Sequence, residues 1–190
     1  MTQYSAIILA GGKSSRMGQK KAELLIRGRT FIDIIIEKLR ELGIEDIIIS
    51  GYEYKSDSLL SVKDKYPDKG PLAGIHAGLR EAANKSILVV TEDAPLIPLD
   101  FIRQLMNKHM ESDLSITIAS CGGRMQPLLG IYDKSLVSVC ENLLMGDNAT
   151  PRALIEKTGS VQVPYTGDEL IIRGCNTPEE YVSLAELIED

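Results

Sequence analysis

The segment Leu9-Ala10-Gly11-Gly12-Lys13-Ser14-Ser15-Arg16-Met17-Gly18-Gln19-Lys20-Lys21 places two adjacent glycines beside an arginine and three lysines. That set of residue types suits an oxyanion. Gly11 and Gly12 let the main chain turn tightly and approach a ligand closely, and successive backbone N–H groups can cradle phosphate oxygens. Arg16 then offers a planar fork of donors and Lys21 a point charge. Two better-known phosphate motifs do not fit. The P-loop needs a glycine five places before Gly12, where Ile7 stands, and the dinucleotide fingerprint needs a glycine where Lys13 stands. The alternative for the segment is a solvated, lysine-rich turn. A second reactive group is Asp93, just beyond the apolar run 87–90. Its hard oxygen is what Mg²⁺ prefers, an ion that commonly keeps waters and substrate phosphates as its other ligands. The competing role for Asp93 is to cap the turn before Pro95. Strand alternation turns Glu92 away from Asp93, either as a surface charge or into the outer shell of a metal.

These groups need a scaffold that brings strand ends together. Short apolar runs alternate with amphipathic ones, the pattern of an α/β fold. Residues 6–10 read as a first strand and 30–42 as a helix with apolar residues at helical spacing. The continuous apolar runs 47–50 and 87–90 suit central parallel strands covered on both faces. Residues 72–83 and 101–110 read as crossover helices, and 59–63 and 114–120 as further strands. Beyond Ser120, residues 126–133 and 170–174 look like strands and 135–144 like a helix. Thr150-Pro151 and Thr177-Pro178 each place a cap before a first-turn proline, the second with a capping box to Glu180. With no repeat or linker, residues 1–190 are expected to form one domain: a three-layer sandwich around a mostly parallel sheet with a Rossmann-like core. Such sheets bind ligands at the carboxyl ends of their strands.

Composition narrows the function classes. A formal net charge of −6 in 190 residues argues against a general nucleic-acid binder. No apolar run approaches membrane-spanning length and no basic leader precedes the first strand, so a cytoplasmic protein without a membrane partner is expected. Cys121, Cys140 and Cys175 lack metal-ligand spacing and read as reduced thiols. His76 and His109 have no partner at ligand spacing. Ser14 and Ser15 lack a partnered base. Met106 and Met110 read as core filler, and Tyr52 and Tyr54 as a loop edge.

The stretch from Leu9 to Ala22 resembles the signature of the molybdenum cofactor guanylyltransferases, nucleotidyltransferases with a Rossmann-like core. Further matches are Gly70-Pro71-Leu72-Ala73-Gly74-Ile75, Asp93-Ala94-Pro95-Leu96-Ile97-Pro98, Gln126-Pro127-Leu128-Leu129-Gly130-Ile131-Tyr132 and Asn176-Thr177-Pro178-Glu179-Glu180. Their order spans nearly the whole chain. The resemblance implies GTP and molybdopterin as substrates, Mg²⁺ as cofactor, and transient contact with other molybdenum cofactor proteins. It implies that Asp93 binds Mg²⁺, that Leu9, Ala10, Gly11 and Ser50 line the nucleotide pocket, and that Asn176 meets the pterin. It also implies an aspartate near residue 64 that reads guanine. A carboxylate accepts both adjacent donors of that base; Asp64 is the candidate and Asp68 its competitor. Two positions depart from the family pattern. Thr91-Glu92 stands where Pro-Cys is common, and Gly174 where a second asparagine is frequent. The alternatives are a cytidylyltransferase on the same pterin, another small-molecule nucleotidyltransferase, and a non-catalytic nucleotide-binding regulator. Gly11 in the first motif and the Gly-Pro-Leu-Ala-Gly segment favour GTP over CTP.

Overall fold

A computed structural model describes residues 4–12, 20–56 and 58–187. The elements run β1 (Tyr4–Leu9), a hairpin of β2 (Leu25–Ile26) and β3 (Arg29–Thr30), α1 (Phe31–Glu41), β4 (Ile47–Ser50), β5 (Leu60–Val62), α2 (Pro71–Glu81), β6 (Ser86–Thr91) and α3 (Leu99–Met110). They continue as β7 (Ile116–Cys121), β8 (Arg124–Asp133), α4 (Val137–Leu144), α5 (Pro151–Thr158), β9 (Val161–Pro164), α6 (Glu169–Arg173) and α7 (Pro178–Glu186). Seven strands form one sheet in the order β5-β4-β1-β6-β8-β7-β9. The block β5-β4-β1-β6 is parallel throughout, and β9 is parallel to β7. Only β8 runs against its neighbours β6 and β7. The α/β class and the mostly parallel sheet are as expected from the sequence.

The apolar runs explain the three layers. Successive side chains of a strand point to opposite faces. Ile7, Ile48, Ile87 and Val89 therefore pack on one side with Leu72, Ile75 and Leu79 of α2, Cys140 and Leu144 of α4, and Leu154 of α5. Ala6, Ile8, Ile47, Ile49, Leu88 and Val90 pack on the other with Ile32, Ile35 and Leu39 of α1 and Phe101, Ile102 and Leu105 of α3. Each fully buried Ile, Leu or Phe stabilises the fold by about 1.5–3 kcal/mol. The two-sided burial is why these strands carry no polar face.

Helix starts follow their caps. Thr30, Thr150 and Thr177 each accept the N–H three residues on. Glu180 reaches back to the N–H of Asn176 (2.6 Å), one residue before the cap, so the box closes across an extra residue. The strand expected at 170–174 is instead α6: Asp168 caps it through the Leu170 N–H (2.8 Å) and Gly174 ends it at φ +76°. Five residues are too few for a helical period to separate from alternation. The β2–β3 hairpin and β9 had no sequence signal strong enough to be expected. Met110 is 63% exposed, against the core role expected for it, whereas Met106 packs on the core. All three cysteines are free. Among the described residues no helix is long and apolar enough to cross a membrane.

Candidate active site

The parallel block brings its strand ends into line. Leu9 stands level with Ser50 of β4 and Thr91 of β6. The Ala10 N–H donates to the Ser50 carbonyl (2.8 Å) and the Glu92 N–H to the Leu9 carbonyl (3.0 Å), so both neighbouring strands hold the exit of β1. Gly11 and Gly12 are exposed there. Gly51, at φ +85°, turns back to back with Gly11: a Cβ on Gly51 would lie 2.5 Å from the Gly11 Cα. A side chain at residue 51 would collide with the exit of β1, so the close pass of the two strand exits requires glycine there.

On the β6 side of this edge, Lys21 and Asp93 meet. Lys21 opens a 3-10 turn over Lys21–Glu23 and is 9% exposed. Its ammonium donates to Asp93 Oδ2 (2.8 Å) and Asn176 Oδ1 (2.7 Å), joining residues far apart in sequence. The Cys175 N–H donates to the Asp93 carbonyl (3.0 Å). Gly174 packs so closely on Asp93 that a Cβ there would lie 2.4 Å from Asp93 Oδ1. With φ +76° and ψ 163°, Gly174 also occupies a backbone region essentially reserved for glycine. An asparagine at this position would meet both obstacles. Arg16 lies outside the described residues.

Asp93 Oδ1 is buried and finds no hydrogen-bond partner among the described residues. An orphaned buried acceptor costs about 1–3 kcal/mol, and a hard cation would satisfy it. Among the described residues no three His, Cys, Asp or Glu side chains form a ligand cluster. Mg²⁺ needs none, because one or two carboxylates suffice when phosphates and waters complete its shell. The donor set at Asp93 fits that ion.

Glu92 is not a surface charge. It is 5% exposed, with the main-chain N–H groups of Ala22 and Gly12 directed at its carboxylate. A Cβ on Gly12 would stand 3.4 Å from Glu92 Oε1. Burial, then the charge of Asp93, pushes its carboxyl up to about 7, against the pull of Lys21 and the two N–H groups. Its sequence neighbours gave no sign of this, because the group that buries it is a loop rather than a strand.

On the β4–β5 side lies a cavity of about 560 Å³ whose lining includes Gly11, Gly51, Tyr52, Lys63, Asp64 and Asp68. Ser50, almost fully buried, donates to Asp64 Oδ1 (3.2 Å). Burial raises the Asp64 carboxyl above its ordinary range, while the Ser50 bond and His76 lower it. Gly74 of α2 leaves room for this pair: a Cβ there would lie 2.9 Å from Ser50 Oγ and 3.7 Å from Asp64 Oδ1. Both candidate aspartates border the cavity, and the Ser50 hydroxyl fixes the orientation of Asp64. The cavity and the Lys21–Asp93 pair flank Gly11. Three strand spacings separate β5 from β6, roughly 14 Å.

A ligand edge of this kind, at the carboxyl ends of parallel strands, is that of a Rossmann-like α/β protein. The chain belongs to the MobA-like NTP transferase domain family, which it matches over residues 6–162, and it is a nucleotidyltransferase. A protein of Carboxydothermus hydrogenoformans named probable molybdenum cofactor guanylyltransferase is 33% identical over 98% of each chain. One of the same name from Clostridium perfringens is 42% identical over 78% of this chain and 75% of its own. The fold superimposes on the crystal structure of molybdopterin-guanine dinucleotide biosynthesis protein A from Archaeoglobus fulgidus with a TM-score of 0.81, at 21% identity, over 97% of this chain and 98% of that one.

Proposed function

We propose that this nucleotidyltransferase moves GMP from GTP to the terminal phosphate of molybdopterin, molybdenum-loaded or not, and releases pyrophosphate. The observation that carries the reading is the division of the strand edge: a fixed carboxylate in an open cavity on one side of Gly11, and a buried lysine–aspartate pair on the other. The first suits a base with adjacent donors, and the second suits phosphates. The names of the relatives support the same substrates.

Guanine enters the cavity, and Asp64, oriented by Ser50, accepts its N1–H and N2–H. The main chain at Leu9, Ala10 and Gly11 borders the nucleoside, and amides near Gly11 and Gly12 contribute to the phosphate side with Arg16. An oxygen of the pterin's phosphate attacks the α-phosphorus of GTP. The new P–O bond forms as the bond to the β-phosphate bridging oxygen breaks, and pyrophosphate departs. Such transfers depend on positioning and charge stabilisation more than on covalent help from the protein. Lys21 supplies positive charge where the leaving pyrophosphate gathers negative charge. Asn176, which accepts a hydrogen bond from Lys21, meets the pterin beside that ammonium. Asp93 would hold Mg²⁺, which when bound neutralises charge on phosphate oxygens.

Thermal-shift measurements with GTP, CTP, ATP and UTP in Mg²⁺ test the base assignment, since a ligand that binds only the native state raises Tm by mass action. GTP should give the largest shift. Equal shifts with GTP and CTP would remove the guanine assignment and favour a cytidylyl or unselective transferase.

A further inference from the structure

A buried carboxylate is costly unless hydrogen bonds compensate it. Glu92 lies under the strand edge at 5% exposure, and the nearest ammonium, that of Lys21, already donates to Asp93 and Asn176. The charge of Lys21 offsets part of that cost, and the main-chain N–H groups of Ala22 and Gly12 donate to the carboxylate itself. The Glu92 N–H is held by the Leu9 carbonyl (3.0 Å). Three pieces of chain therefore converge on one residue: the exit of β1 at Gly12, the turn that carries Lys21, and the end of β6 that carries Asp93.

We propose that Glu92 is a positioning residue whose carboxylate anchors the Gly12 and Ala22 amides and thereby fixes the Lys21 ammonium against Asp93 and Asn176. It touches neither nucleotide nor pterin. It acts by holding the residue before Ala22 in place. The proposal rests on the guanylyl-transfer reading for its kinetic consequence, but not for its structural one.

The test compares Glu92→Gln, which keeps a side-chain oxygen of the same reach, with Glu92→Ala, which removes it. Amide hydrogen exchange, read by NMR at Gly12 and Ala22, should speed up about tenfold or more in Glu92→Ala and less in Glu92→Gln, because an exposed amide opens more readily than a bonded one. Misplacing Lys21 should lower kcat for pyrophosphate release by about 10- to 100-fold in Glu92→Ala. KM for GTP should change little, and Glu92→Gln should recover most of the rate. Unchanged exchange at both amides in Glu92→Ala overturns the anchor. Accelerated exchange with normal kcat overturns the positioning role. A Glu92→Gln variant as impaired as Glu92→Ala, with weakened Mg²⁺ dependence, would make Glu92 a metal-side carboxylate instead. If the parent protein itself turns over no GTP, the guanylyl reading fails while the exchange data still decide the anchor.

Discussion

The two sides of the strand edge differ in how they hold charge. Over β6, Lys21, Asp93 and Asn176 are tied to one another across the sequence, and Glu92 is buried beside them. Over β4 and β5, Asp64 faces an open cavity, held by a hydrogen bond from the Ser50 hydroxyl. A group that must stabilise charge during transfer gains from being fixed in advance, because no reorganisation is then needed as the reaction proceeds. A group that reads a base must stay accessible until the base arrives. The same sheet provides both because β1 exits between them, with Gly11 and Gly51 in contact.

Substitutions on the β6 side should therefore act on the rate. Asp93→Asn should lower kcat by about 100-fold or more while leaving the fold intact, since the amide is a weaker ligand for a hard cation and a preorganised charge is lost. Circular dichroism alongside steady-state kinetics checks both halves; a normal rate would remove Asp93 from the chemistry. Lys21→Ala should come next, lowering kcat and kcat/KM together by about tenfold or more, with a modest change in KM, if its ammonium acts in the transition state. A rise in KM at constant kcat would make Lys21 a ground-state phosphate contact. Because this variant leaves Asp93 buried without its partner, its Tm should also fall.

On the β5 side the effect should appear in selectivity. Asp64→Ala should narrow the difference in affinity between GTP and CTP by about tenfold, the scale of one buried hydrogen-bonding acceptor, with little change in kcat. Competition binding measures this directly. An unaltered preference would transfer the role to Asp68 or to the main chain.

The smallest effect is on stability and concerns Glu92. Its folded-state carboxyl titrates near 7, above the 4.5 of an ordinary glutamate. Stability tied to its protonated form is complete below pH 4.5 and is lost as pH rises through about 7. Glu92→Gln, which cannot ionise, should therefore exceed the parent in Tm by several degrees at pH 8 and match it near pH 4.5. A constant difference across that range would mean that Glu92 titrates normally.

Much of this arrangement was legible in the sequence because it follows from local pattern. The apolar runs at 47–50 and 87–90 marked central strands, the glycine pair marked the turn beyond β1, and threonine–proline pairs marked two helix starts. What was not legible depends on contacts across the sequence. Asn176 reads as a pterin contact by resemblance, yet in the fold its side-chain oxygen lies on Lys21. Glu92 alternates away from Asp93 along an extended strand, but Ala22 and Gly12 cover it. Gly174 departs from the family pattern, and its reason is the Asp93 carboxylate beside it together with a backbone that only glycine adopts readily. Helix α6 was missed because its Leu-Ile-Ile run is too short to reveal its period.

The central claim is that the cavity over β4 and β5 selects guanine for transfer driven by the charges over β6. Steady-state release of pyrophosphate, with molybdopterin and Mg²⁺ and each of GTP, CTP, ATP and UTP in turn, tests it most directly. The account predicts that kcat/KM for GTP exceeds that for every other nucleotide by about tenfold or more, the worth of about 1.4 kcal/mol of discrimination, and that Asp93→Asn abolishes nearly all of it. Turnover with CTP equal to or faster than with GTP, or no pterin-dependent release with any of the four, would contradict it.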